Sequence, residues 1–283
     1  MQVWRAAGGL RAQGTKFFAS FLQKSRAFFL LSIGLPGQSF DAVGGVMLDS
    51  LICLAVLIAG FAAGVALCLP WARPARPVWL VVCLGYVLAD GVVTLLGFHL
   101  LAGLHWNWAG KGFSVLLAAA VIAALRPSRA ALPLGLPADP AGWRWSLLGV
   151  VAAGLFAGVC GLVFRDHVMP GVEDILYQAT MPGLAEELCW RGLVFVLLGR
   201  AYAGADGRRG AVPAAVMVTL LFGLIHGVQA GAGGVRFAVL PFAYAVVFGA
   251  GLAVVRLRGR SLVSCVVAHN VGNVIGAVMN GVG

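Results

Sequence analysis

Three short groups of residues stand out for the chemistry they could do. In Ala185-Glu186-Glu187-Leu188-Cys189-Trp190-Arg191, two carboxylates sit side by side and a guanidinium follows four residues after the second. Phe222 and His226 share a helical face, as do His269 and Asn273, with Asn270 beside His269. Carboxylates and imidazoles move protons near neutral pH, and an asparagine amide can donate to developing negative charge. Helical neighbours lie about 100° apart, so Glu187 can pair with Arg191 while Glu186 points elsewhere, available as a base. A lone histidine on an apolar helix reads as a hydrogen-bonded core residue. Two of them on separate apolar segments, with a glutamate and an asparagine, are harder to explain as packing.

Composition says what must position these groups. Of 283 residues, 61% are hydrophobic and 11% charged, with a mean hydropathy of +0.96. Soluble domains run near half apolar and a quarter charged, so this chain reads as a polytopic all-α membrane bundle. The net charge of +10 comes from short basic clusters between apolar runs, the pattern of topology signals. No nucleic-acid-binding motif accompanies them, which argues against a nucleic-acid partner. The expected partners are membrane lipid and a protein or peptide substrate.

A span needs roughly 20 residues, which predicts about eight: 46–70, 78–101, 109–125, 143–164, 182–199, 211–230, 236–255 and 261–280. Pro- and Arg-rich breaks separate them, as in Pro70 to Pro77, Arg126 to Pro140 and Arg256 to Arg260. The third is the weakest candidate, being short unless Lys111 snorkels to the interface. Residues 1–36 alternate Arg and Lys with Phe and read as a basic interfacial helix rather than a signal peptide. Asp166 to Pro182 reads as an amphipathic helix lying on the membrane. The expected organisation is a basic N-terminal segment (1–36), N-terminal spans (37–141) and a catalytic core (142–283). Gly223/Gly227 and Gly272/Gly276 are spaced for close helix approach. The six cysteines lie in apolar segments and form no CxxC pair, so packing explains them.

The ordered set Glu186-Glu187-xxx-Arg191, Phe222-xxx-His226 and His269-xxx-Asn273 resembles the three-motif signature of the CPBP family. That family comprises CAAX-processing endopeptidases and abortive-infection-type relatives. The resemblance covers roughly residues 143–280. It implies an intramembrane endopeptidase in which Glu186 and His226 activate a water while His269 and Asn273 donate to the oxyanion. Such donors contribute ~2.7–4 kcal/mol each to transition-state stabilisation. Glu187 and Arg191, with Phe222 and Asn270, then orient the site or the substrate chain. The residue types of Glu186, His226 and His269 also suit zinc. No HExxH is present and asparagine is a poor zinc ligand, so the expectation is a cofactor-free glutamate mechanism. Cys189 as a nucleophile is the weaker variant.

Glu186 near the start of its span and His226 near the end of the next lie on one side. The opposite connections carry Arg126, Arg129, Arg200, Arg208, Arg209, Arg256, Arg258 and Arg260. The site side has Arg165 and Arg236, offset by Asp166, Glu173 and Asp174. By the positive-inside rule the site then faces away from the cytoplasm of a bacterial inner membrane, although with eight spans the basic N-terminal arm shares its side. That orientation suits a sorting protease of the myxosortase-like kind, cutting C-terminal tags of exported proteins. The alternatives are a CAAX-type prenyl-protein endopeptidase and a non-catalytic immunity or scaffold protein. A transporter built on paired halves is disfavoured by the absence of an internal repeat.

Overall fold

The computed structural model describes residues 40–97, 100–101, 104–203, 210–231 and 234–282, with side chains from Ile52 onward apart from 230 and 231. The basic segment 1–36 and the Arg208–Arg209 pair lie outside the described residues. The chain runs through α1 (Phe40–Cys68), α2 (Val78–Leu96), α3 (Trp108–Leu125), α4 (Pro140–Val163) and the short α5 (Val172–Gln178). A continuous helical run, α6, follows over 181–202; its ends are α-helical and Leu188–Val194 is wound as π-helix. Then come α7 (Ala211–Gly227), a hairpin of β1 (Val228–Gly231) and β2 (Gly234–Phe237), α8 (Val239–Gly259, π-wound in its last turn) and α9 (Leu262–Gly281).

This is an all-α bundle of membrane-length helices. The helices α2, α3, α4, α8 and α9 are each long and apolar enough to span. The run α6 carries Glu186, Glu187, Arg191 and Arg200, a charge load that only internal pairing makes compatible with lipid. Where the predicted sixth and seventh spans meet, the chain departs from continuous helix. Gly231 and Gly234 face each other across the turn, Gly234 takes a positive φ of 81°, and an antiparallel pairing of Gln229 with Arg236 closes the hairpin.

Small residues set the close crossings. An added Cβ on Gly161 of α4 would lie 2.6 Å from the Gly276 carbonyl of α9, and these two helices share the most extensive contact in the bundle. Gly223 and Gly227 admit Phe242 of α8 against α7, and Gly272 admits Phe248. At the top of α2 the Asn107 amide donates to the Thr94 carbonyl (2.8 Å) while its oxygen caps α3 at Gly110 (2.9 Å).

The arginine-bearing connections gather at one end. There Arg200 donates to the Leu125 carbonyl, Arg256 to Ala131, and the Arg76 amide to Ala201. The hairpin, α5 and the start of α3 occupy the other end, the end where α1 begins.

Candidate active site

The helix α6 sorts its two glutamates as their 100° offset requires. Glu187 is fully buried and its Oε1 accepts from Arg191 Nη1 at 2.9 Å and from His269 Nδ1 at 2.7 Å. Arg191, equally buried, also donates to the Gly249 carbonyl (3.1 Å) and lies over the Phe222 ring at 4.4 Å. The approach needs a glycine: a Cβ at position 249 would sit 2.9 Å from Nη2. The π-wound turn leaves the Arg191 carbonyl to accept from Arg256 Nε at 3.0 Å. This network forms the wall behind the site.

Glu186 faces the other way, into a cavity of about 170 Å³. Its Oε1 accepts from Lys111 Nζ at 2.8 Å, and its Oε2 lies 3.9 Å from His269 Nε2. Lys111 does not snorkel to the interface. With a carboxylate within reach inside the bundle, the ammonium turns inward to it rather than outward to the interface.

The two histidines are held in defined orientations. His226 Nδ1 lies 2.7 Å from the Phe222 carbonyl. A carbonyl only accepts, so Nδ1 carries the proton and Nε2 is the basic nitrogen of the neutral ring. His269 commits Nδ1–H to Glu187 and turns Nε2 toward Glu186. Phe222 therefore serves twice, through its ring under Arg191 and its carbonyl on His226. On α9, Asn273 Nδ2 donates to Gln178 Oε1 at 3.0 Å. Asn270 is a clamp: its oxygen accepts from the Gly183 amide (2.8 Å) and its Nδ2 donates to the Thr180 carbonyl (3.2 Å). It thereby fixes the start of α6.

Glu186, His226, His269 and Asn273 all line the one cavity, whereas Glu187, Arg191, Phe222 and Asn270 stand behind or beside it. Glu186 contacts Lys111 and His269, and His226 reaches the same cavity from α7. Sequence reasoning missed Lys111, Asp90 and Gln178, which also line it. Asp90 accepts from Ser114 Oγ at 2.6 Å. An acidic residue within an apolar span was a usable signal for Asp90; Gln178, next to a loop, carried none.

The mouth is bordered by α5, whose acidic residues grip the start of α3. Glu173 accepts from the amides of His105 (2.9 Å) and Trp106 (3.2 Å) and from Trp108 Nε1 (3.2 Å). Asp174 accepts from Trp106 Nε1 at 2.6 Å, and the Trp106 ring stacks on Tyr177 with centroids 4.8 Å apart. Burial works against the Glu173 charge, but the His105 and Trp106 amides outweigh it and hold its carboxyl below the ordinary range. The apolar residues Val172 and Leu176 remain exposed, and the helix covers Val172–Gln178 of the stretch from Asp166 to Pro182.

As a metal site the residues fit poorly. One oxygen of Glu186 is engaged by an ammonium, and among the described residues no three His, Cys, Asp or Glu side chains converge as ligands do. Cys189 is buried beside Asp90 and Tyr86 and lines the same cavity.

No curated protein and no solved structure matches the chain. Residues 168–275 match the family model described as Type II CAAX prenyl endopeptidase Rce1-like. All three motifs lie inside that stretch, whereas Asp90, Lys111 and Ser114 lie outside it. Over residues 168–275 the chain is thus similar to the Rce1-like type II CAAX prenyl endopeptidases, consistent with the CPBP resemblance of its motifs.

Proposed function

We propose that the chain is an intramembrane endopeptidase that hydrolyses a peptide bond near the membrane surface with a water activated by Glu186 and His226. The observation that carries this reading is the convergence of Glu186, His226, His269 and Asn273 on one cavity, with Glu186 18% exposed to it while Glu187 is sealed off. A water beside Glu186 Oε2 loses its proton to the carboxylate as its oxygen attacks the scissile carbonyl, His226 Nε2 helping to orient it. Asn273, its amide plane set by Gln178, donates its remaining N–H to the oxyanion, and His269, whose Nδ1–H is held by Glu187, adds a donor at Nε2 only when that nitrogen is protonated as well. Glu186 then returns the proton to the departing amine. No step uses a metal.

For substrate, the arginine-rich end is taken as cytoplasmic and the cavity mouth as facing away from it, in a bacterial inner membrane. The chain then cuts C-terminal sorting tags of exported proteins. A second reading, favoured by the description of the matched family, is a prenyl-protein endopeptidase. Both are tested by supplying purified protein in liposomes with two peptides. One is a prenylated peptide with a free C-terminus, the other a transmembrane-anchored tag without a prenyl group. Cleavage of the tag alone supports the sorting role, and cleavage of the prenylated peptide alone supports the second. Cleavage of either that survives unchanged in Glu186→Gln overturns the mechanism, and cleavage of neither favours a scaffold. A reporter fused within 201–210 that reads as extracytoplasmic removes the basis of the orientation.

A further inference from the structure

We propose that Lys111, on α3 and outside the family-matched segment, is a further catalytic residue whose ammonium stays paired with the reaction's negative charge as it moves from Glu186 to the substrate oxyanion and back. This rests on the reading of Glu186 as the base.

Lys111 Nζ donates to Glu186 Oε1 at 2.8 Å, and the two side chains are 15% and 18% exposed, so both are reached from the cavity. Among the described residues lining the cavity, Lys111 is the one with an ammonium or guanidinium group. Arg191 is spent behind the wall on Glu187 and Gly249. Asp90, held by Ser114, is the second carboxylate acting on Lys111. The ammonium therefore sits in a carboxylate frame at the edge of the reacting space.

The charge balance explains why a fixed cation belongs there. As the water O–H bond breaks, the proton goes to Glu186, a C–O bond forms at the scissile carbon, and the carbonyl π pair becomes the oxyanion. Glu186 goes from −1 to neutral while the substrate oxygen goes from neutral to −1. When the C–N bond breaks, the amine nitrogen takes the proton from Glu186 and the charge returns to the carboxylate. In a low-dielectric bundle an ammonium that loses its hydrogen-bonded carboxylate, with only the Ser114-held Asp90 left as counter-charge, is costly. Lys111 avoids that state if its N–H groups reach both positions, and it needs no solvent reorganisation to do so. A role limited to neutralising Glu186 for burial makes no demand on the charge during turnover.

The test compares Lys111→Arg, Lys111→Gln and Lys111→Met in liposomes with whichever peptide is cleaved, reading kcat and KM per folded molecule. Lys111→Gln keeps a donor for Glu186 but no charge, and kcat is expected to fall about 100-fold or more with KM changed less than about threefold. Lys111→Arg, which keeps the charge, is expected to stay within about tenfold of the parent. Lys111→Met, measured in the same way, covers the case in which the glutamine variant does not fold. Equal turnover of Lys111→Gln and the parent overturns the proposal, as does an equal loss in Lys111→Arg and the neutral variants. If Glu186→Gln itself retains full turnover, the base assignment fails first. If Glu186→Gln is inactive and Lys111→Gln is fully active, only the role of Lys111 fails.

Discussion

Glu186 and Glu187 are one residue apart and lie in different physical worlds. Glu187 is sealed, held by the His269 imidazole and by a guanidinium that also donates to the Gly249 carbonyl and lies over the Phe222 ring. Glu186 opens on the cavity with one oxygen on an ammonium and the other turned toward an imidazole edge. A carboxylate locked among fully desolvated partners maintains geometry, and one with an oxygen facing a cavity can exchange a proton. The wall behind the site and the site itself thus divide structure from chemistry along a single helix.

Attacking the wall should give the largest effect. Arg191→Met leaves Glu187 without its guanidinium, and removing one partner of a buried pair costs about 3–5 kcal/mol. The expected outcome is a large drop in thermal unfolding temperature in detergent, with activity lost because folded protein is lost. A variant of parental stability that is merely slow would mean that Arg191 acts in the cavity.

Next in size, Asn273→Ala should lower kcat about 10²–10³-fold with a small change in stability, as for loss of one oxyanion donor. Gln178→Met, which only frees the Asn273 amide to rotate, should cost about tenfold. It should add nothing in the Asn273→Ala background; additive losses in kcat would show that Gln178 acts on its own.

The smallest effect belongs to the clasp between α5 and α3. The folded-state carboxyl of Glu173 lies below its ordinary range. The clasp therefore contributes fully above the ordinary glutamate value and loses that contribution as pH falls through the lowered one. Fluorescence of Trp106 and Trp108 should stay constant through the ordinary carboxylate range and change below it. In Glu173→Gln that low-pH change should be absent. A parent transition at the ordinary value would contradict the clasp.

Much of this was legible in sequence because lipid removes the ambiguity of a buried charge. Intramembrane Glu186, His226 and His269 have few bland explanations, and the resemblance of their ordered motifs to the CPBP signature implied a shared site. The positions of α2, α3, α4, α8 and α9 followed from apolar length and from the Pro- and Arg-rich breaks between them. Lys111 was misread because an ammonium near a span's end reaches the interface or an inner carboxylate equally well, and only the packing of α3 on α6 decides which. Gln178 reads as an ordinary polar residue until α5 is clasped against α3 and brought over Asn273. The hairpin after α7 was hidden because its apolar residues continue the hydropathy of the helix, with the glycines as the only break. The widening of α6 into π turns depends on where Arg191 and Arg256 meet, a contact 65 residues apart.

The most direct test of the division between the two glutamates sets Glu186→Gln beside Glu187→Gln in the same liposomes, measuring peptide turnover per folded molecule and thermal stability together. Glu186→Gln should unfold near the parent's temperature and lose about 10²–10⁴-fold in turnover. Glu187→Gln should be markedly destabilised, while its folded fraction keeps much of its turnover. A stable, active Glu186→Gln alongside a stable, inactive Glu187→Gln would contradict the account.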